Sequence, residues 1–206
     1  ALDGDADRCI ISDEKGNFIN GDLLLGIITK RYLDKKLLNN NVIVGTQMTN
    51  KGLENYLNSL DLKLIRTAVG DRYVIKKMKK HNSNLGGEQS GHIILGDYNS
   101  TGDGLVAALQ IIACMKEQNV PASFLGKKIK LLPQVIESIS YSILKIETLS
   151  EDRKIKEEIM KAEHKLGKSG RVFLRPSGTE KKIRIMAECE KIDLLDQTIK
   201  NLKTKI

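Results

Sequence analysis

Between residues 21 and 118, short apolar runs bounded by polar turns alternate with longer segments whose apolar residues recur at helical spacing, and few folds accommodate that order. Leu23, Leu24, Leu25, Ile27, Ile28 and Leu33 mark an apolar helix that closes at Leu38-Asn39-Asn40-Asn41. Val42-Ile43-Val44 reads as a short buried strand, and Thr49-Asn50 as the cap of a helix carrying Leu53, Tyr56, Leu57 and Leu60. The order repeats with a strand over 62–69, a helix over 71–80, a loop entering a strand over 84–95, and a helix over 102–118. Strands and helices taking turns require a sheet at the centre of an α/β layer.

Pro121 and Pro133 bracket a connector, after which the pattern changes. Strands are expected over 135–143, 170–174 and 182–190, with a charged helix over 150–166 and a terminal helix over 194–202. This predicts a small α+β domain with an antiparallel sheet and helices on one face. The expected organisation is a tail of a preceding domain over 1–16, an α/β domain with a mixed sheet over 17–133, and the α+β domain over 134–206. The chain opens at Ala1-Leu2 as though inside a strand, so further chain is expected upstream.

Bulk properties narrow the function classes. With 40% hydrophobic and 29% charged residues the composition is that of a folded soluble protein, and no apolar run approaches the roughly 20 residues a membrane span needs. Cys9, Cys114 and Cys189 lack metal-ligand spacing and read as reduced thiols of a cytoplasmic protein, which disfavours a zinc site. The net charge of +8 raises the question of a nucleic-acid partner. Its lysines are spread over helix faces with few aromatics among them to stack on bases, a pattern better suited to a protein that handles anionic metabolites.

Four segments carry chemistry. In Asp3-Gly4-Asp5-Ala6-Asp7-Arg8 three carboxylates crowd one short loop, where a hard cation such as Mg²⁺ relieves their repulsion and Arg8 adds a fixed positive fork. An acidic surface turn has the same composition. At Val69-Gly70-Asp71-Arg72-Tyr73 a strand enters a helix, offering free amides and Arg72 to an anion, or simply a strand-to-helix turn with Asp71 as cap. Gly86-Gly87-Glu88-Gln89-Ser90-Gly91-His92 sets hydrogen-bonding side chains among glycines, as sugar recognition requires, and its imidazole belongs to the side-chain type that changes charge near neutral pH. A hairpin turn is the plainer reading. Finally, Leu174-Arg175-Pro176-Ser177-Gly178-Thr179-Glu180, with Arg184, gathers guanidinium forks, hydroxyls and a glycine-freed backbone, the parts of a phosphate clamp. A metal-assisted enzyme acting on a sugar phosphate needs all four.

In that order the motifs Asp3-Gly4-Asp5-Ala6-Asp7-Arg8, Thr67-Ala68-Val69-Gly70-Asp71-Arg72-Tyr73-Val74, Gly87-Glu88-Gln89-Ser90-Gly91-His92 and Arg175-Pro176-Ser177-Gly178-Thr179-Glu180 closely resemble those of the α-D-phosphohexomutase superfamily. The resemblance implies that Asp3, Asp5 and Asp7 bind Mg²⁺ with a phosphoserine, and that Arg8 sits against its phosphate. It implies sugar contacts from Glu88, Ser90 and Gly91, a cleft bordered by Gly70, Asp71 and Arg72, and His92 as proton carrier. Arg175, Ser177, Gly178, Thr179 and Arg184 would grip the phosphate that is not reacting. Gln89 points to members that interconvert glucosamine 6- and 1-phosphates, feeding UDP-N-acetylglucosamine and peptidoglycan synthesis. Met at that position would point to mannose or glucose phosphates. A non-catalytic sugar-phosphate binding module is the reading from another class.

Two departures stand out: no Ser-His-Asn-Pro type loop occurs to supply the phosphoserine, and Lys181 stands where the clamp usually continues with Pro. The implied partners are a sugar phosphate, the missing upstream domains and a second copy in a homodimer, with neither nucleic acid nor membrane.

Overall fold

A computed structural model describes residues 1–140, 152–167, 169–176 and 182–205. They fall into two compact units, Ala1–Leu131 and Leu132–Ile206. In the first, Leu2 and Cys9 form an antiparallel bridge, and Ala1 and Ile10 exchange backbone hydrogen bonds of 2.8 and 3.0 Å. Residues 3–8 are therefore the turn of a hairpin. β1 (Ile11–Ser12) and β2 (Phe18–Ile19) form a second hairpin, whose turn is closed by Asp13 Oδ1 accepting from the amides of Lys15 and Asn17.

There follow α1 (Gly21–Asp34), β3 (Val42–Thr46), α2 (Lys51–Asn58), β4 (Lys63–Thr67), α3 (Asp71–Lys80), β5 (Leu85–Gly87), β6 (Ile93–Leu95), α4 (Gly104–Gln118) and the short α5 (Ala122–Leu125). The caps are chemical: Asn20, Asn50 and Asp103 accept from the amides of Leu23, Gly52 and Val106, as side-chain oxygens do at helix starts. The sheet order is β4-β3-β5-β6, with β3 parallel to both neighbours and β6 antiparallel to β5. α1, α2 and α4 bury Leu24, Ile28, Leu53, Leu57 and Ile111 against one face, together with Ile43, Leu85 and Ile93. α3 covers the other face through Val74 and Met78 against Val44 and Ile94. The result is an α/β/α sandwich around a mixed sheet.

The structure corrects the loop expected at the start of 84–95, because Leu85–Gly87 is an interior strand between β3 and β6. Glycine here marks close packing: a Cβ on Gly86 would stand 2.7 Å from Met78 Sδ and 3.0 Å from Val44 O. Leu85 is wholly buried, so Leu85→Ala is expected to cost about 2–5 kcal/mol in urea unfolding, the range for a deleted core leucine.

Residues 1–16, expected as the tail of a preceding domain, pack on this unit. Cys9 N donates to Gly91 O at 3.1 Å and Gly104 N to Ala6 O at 2.9 Å, which seats the amino-terminal hairpin on the β5–β6 turn and the start of α4.

On α1, Arg31 reaches Glu117 of α4 through two hydrogen bonds of 2.7 and 3.0 Å, and Lys35 adds an ion pair at 2.8 Å. The Arg31 hydrogen bond, then that of Lys35, pulls the Glu117 carboxyl down to about 2. A depressed carboxylate contributes stability above its unfolded pKa and loses it as pH falls through the folded value. The melting temperature should therefore fall between about pH 4.5 and pH 2, and fall less over that window in Glu117→Gln, as a calorimetric pH series would show.

All three cysteines are free and buried. Burial raises the Cys9 thiol and pushes Cys114 up to about 11, which keeps both protonated and unreactive. Ellman's reagent should modify none of the three in the native protein and all three in urea.

The second unit contains β7 (Gln134–Ser140), α6 (Arg153–Leu166), β8 (Arg171–Pro176), β9 (Lys182–Glu188) and α7 (Ile192–Lys205). The sheet is antiparallel throughout, in the order β7-β9-β8. α6 and α7 bury Leu166, Leu195, Ile199 and Leu202 against Val172, Ile183, Ile185 and Ala187 on one face. The other face carries three cross-strand rows: Gln134, Glu188 and Arg171; Ile136, Met186 and Phe173; Ser138, Arg184 and Arg175.

Candidate active site

From β3 the chain passes through α2 to β4 on one side, then through α3 to β5 on the other. The carboxyl ends of β3 and β5 thus flank a topological switch point, where diverging loops leave a crevice in open α/β sheets. The β4–α3 connection and the β5–β6 turn both start at this edge. Glu88 joins them, its carboxylate accepting from Gly70 N at 2.8 Å. The helix start expected to favour an anion therefore holds Glu88. Gly70, at φ +127, supplies a backbone shape that a side chain would strain. Asp71 is the first residue of α3 and not its cap; its Oδ1 accepts from Arg72 N at 2.6 Å. The Arg72 guanidinium lies 4.6 Å from the Tyr73 ring centre and donates to its hydroxyl.

Residues Glu88 to Gly91 form a tight turn, with Gly91 N donating to Glu88 O at 3.0 Å and Glu88 N to His92 O at 2.9 Å. The segment is thus a hairpin turn, with Ser90 exposed at its tip and Gln89 half-buried. α1 locks it from one side: Gly21 N donates to Gln89 O, and a Cβ on Gly21 would stand 2.1 Å from Glu88 O.

The amino-terminal hairpin docks against this turn. Asp3, Asp5 and Asp7 each offer one carboxylate oxygen, all within 4.8 Å of one another. Ala6 adopts a left-handed φ of +59 to bend the loop, an unusual conformation for a residue with a Cβ. Arg8 N donates to Asp3 Oδ1 at 3.2 Å, and its Nε stands 3.6 Å from both Asp3 and Asp7 carboxylates. Asp7 Oδ2 lies 3.2 Å from His92 Nδ1, while Asp7 Oδ1 is buried and has no hydrogen-bond partner. Three carboxylates offering hard oxygen donors this close together fit a divalent cation such as Mg²⁺. His92, expected as a proton carrier, is 2% exposed.

In the second unit Arg175 and Arg184 are directly opposite each other on β8 and β9. Like charges in that register repel. A phosphate between two such forks would convert the repulsion into attraction. Ser177, Gly178 and Thr179, with Glu180 and Lys181, lie outside the described residues. Sequence reasoning missed Gly102 and Gly104. A Cβ on Gly104 would stand 2.6 Å from Arg8 O, and one on Gly102 within 2.4 Å of the His92 ring. Their only signal was the pair of glycines in Gly102-Asp103-Gly104 before a helix.

Residues 20–130 match the phosphoglucomutase/phosphomannomutase α/β/α domain III and residues 143–203 the C-terminal domain, and the chain belongs to this family. Among its relatives, the phosphoglucosamine mutase of Methylorubrum extorquens is 47% identical over 199 residues, covering 97% of this chain and 44% of that protein. That of Parvibaculum lavamentivorans is 45% identical over 206 residues, 100% of this chain and 45% of the relative. The chain thus spans less than half the length of these relatives. In fold it is similar to Aspergillus fumigatus N-acetylphosphoglucosamine mutase in complex with GlcNAc-6P and magnesium, with a TM-score of 0.84 at 18% identity, covering 100% of this chain and 51% of that one. Among the described residues no helix is long and apolar enough to cross a membrane.

Proposed function

We propose that these residues are the metal-, sugar- and phosphate-binding portion of an intramolecular phosphotransferase that interconverts glucosamine 6-phosphate and glucosamine 1-phosphate through a bisphosphorylated intermediate. The observation that carries this reading is the gathering of three aspartate oxygens within 4.8 Å on a hairpin tied to the Glu88–His92 turn. Support comes from the 45–47% identity to relatives named phosphoglucosamine mutase and from the magnesium and GlcNAc-6P of the Aspergillus fumigatus complex.

Asp3, Asp5 and Asp7 hold Mg²⁺, which when bound neutralises charge on the transferring phosphoryl group. Arg8 steadies those carboxylates and faces the same charge. Glu88, Ser90 and Gly91 take sugar hydroxyls, beside Gly70, Asp71 and Arg72, and Gln89 favours the amino sugar. Arg175 and Arg184, with Ser177, Gly178 and Thr179, bind a phosphate ester. The phosphoserine belongs to upstream chain, so these residues alone do not turn over. The completed enzyme acts in the cytoplasm, as a monomer or homodimer, supplying UDP-N-acetylglucosamine and peptidoglycan precursors.

The test joins this chain to the amino-terminal half of the Methylorubrum extorquens relative and compares turnover of glucosamine, mannose and glucose phosphates. A preference for glucosamine phosphate of about tenfold or more supports the assignment. Preference for mannose or glucose phosphate replaces it with phosphomannomutase or phosphoglucomutase activity, and a folded protein without turnover leaves a binding module. In the completed enzyme Arg175→Ala removes a charged contact worth about 1.5–3 kcal/mol, so KM should rise on the order of 10–100-fold with kcat less affected. Equal KM in variant and parent would count against the clamp.

A further inference from the structure

We propose that the cleft between α1, α4 and α5 binds a nucleoside polyphosphate, its base against Phe124 and its phosphates among the lysines of α1 and of residues 127–128. The cleft encloses about 330 Å³, at the small end of the roughly 300–1,000 Å³ of ligand sites. Ile27, Lys30, Arg31, Asp34 and Lys35 recur at three- and four-residue spacing, so one stripe of α1 forms a wall. Leu125 of α5 joins Ile27 in the apolar part of the lining. The other end of α1 serves the β5–β6 turn, where Gly21 N donates to Gln89 O, and about 20 Å of helix separates Gly21 from Asp34.

Five cations line this cleft against two carboxylates. Both carboxylates are already matched, Asp34 by Lys30 and Glu117 by Arg31 and Lys35. Lys127 and Lys128 form no ion pair among the described residues. The uncompensated positive charge attracts an anion. Arg31 is part of the wall, because its guanidinium is engaged by Glu117 and by Gln110 Oε1 at 2.6 Å. The lysines remain as point charges on flexible stems, which suit phosphate oxygens without a fixed fork geometry.

The same cleft carries an aromatic surface. Phe124 is 54% exposed, and Lys127 Nζ lies 5.4 Å from its ring centre. A phenyl face beside unpaired ammonium groups offers a stacking platform for a planar base and charge for the phosphates attached to it. Tyr56, half-buried, adds a second ring to the lining. Two rings in one concave site fit a single base, whereas a nucleic-acid strand needs successive stacking platforms along a groove.

Calorimetric titrations of the 206-residue chain with ADP, UDP and pyrophosphate test this. EDTA is present throughout, so that no cation bridges phosphates to Asp3, Asp5 and Asp7. The tighter of the two nucleotides should bind with a Kd below about 1 mM, and pyrophosphate, which lacks the base, about fivefold or more weaker. Phe124→Leu keeps apolar bulk without the π-face; it should weaken the nucleotide about fivefold or more and leave pyrophosphate unchanged. Lys127→Gln combined with Lys128→Gln should weaken both ligands about tenfold or more. All three side chains are exposed, so these variants keep the fold, as circular dichroism would show.

A Kd above that limit for both nucleotides overturns the proposal, as does pyrophosphate binding as tightly as the nucleotide. A Phe124→Leu variant that binds nucleotide like the parent removes the stacking surface and overturns it too. Nucleotide binding that is lost in Arg175→Ala but kept in the double lysine variant would place the phosphates on the arginines of β8 and β9, and the proposed cleft would be wrong.

Discussion

Asp5→Asn in the completed enzyme is expected to lower turnover at limiting Mg²⁺ by on the order of 10²-fold or more, since loss of a direct ligand should exceed the 10–100-fold that outer-shell losses cost. The same substitution should leave the melting temperature unchanged or slightly raised. Asp5 is exposed, and its carboxylate accepts no hydrogen bond from the described residues. Its neighbours are the like charges of Asp3 and Asp7, with ligand atoms of all three within 4.8 Å. Removing one negative charge relieves repulsion in the folded state while removing an oxygen from the cation's shell. Activity and stability should therefore move in opposite directions. A melting curve beside a Mg²⁺ titration of activity checks both, and unchanged turnover at limiting Mg²⁺ would remove Asp5 from the ligand set.

Gly91→Ala should produce the largest loss of stability, about 3–5 kcal/mol, read as a shift of the urea midpoint. Two costs combine. Gly91 has φ +94, a conformation side chains rarely adopt and one that costs of order 1–3 kcal/mol. Its Cβ would also stand 2.2 Å from Cys9 O, and backbone on both sides leaves no flexible side chain to yield. Relief requires the amino-terminal hairpin to lift off the β5–β6 turn, breaking the Cys9 N to Gly91 O hydrogen bond. Divalent-metal affinity should fall with stability, because the hairpin carrying Asp3, Asp5 and Asp7 would lose its seat on the β5–β6 turn. A variant that keeps the parent midpoint would show that the two hairpins are not locked together here.

The two substitutions separate what was legible in the chain from what was not. The aspartates of residues 3–8 announce their chemistry because the crowding is local, and backbone connectivity alone brings their oxygens near one another. The alternation over 21–118 and the helix start at Asn50 are local as well, since a side-chain oxygen needs only the next two or three amides to act as a cap.

Leu85–Gly87 was illegible for the opposite reason. Glycines suit a turn by their conformational freedom, but Gly86 is required by Met78 and Val44, which reach it only after α3 has packed on the sheet. The bond from Gly70 N to the Glu88 carboxylate is likewise invisible until the fold brings the two segments together.

The amino-acid order by itself determined the α/β layer, the small α+β unit and the local crowding of aspartates over 3–8 and of glycines over 86–91, because each depends on neighbours within a few residues. Only the tertiary structure decided that the first hairpin packs on the β5–β6 turn, that His92 points its Nδ1 at Asp7, and that Arg175 stands opposite Arg184. Those outcomes depend on strand pairing and close backbone approach between segments tens of residues apart, for which a linear pattern carries no signal.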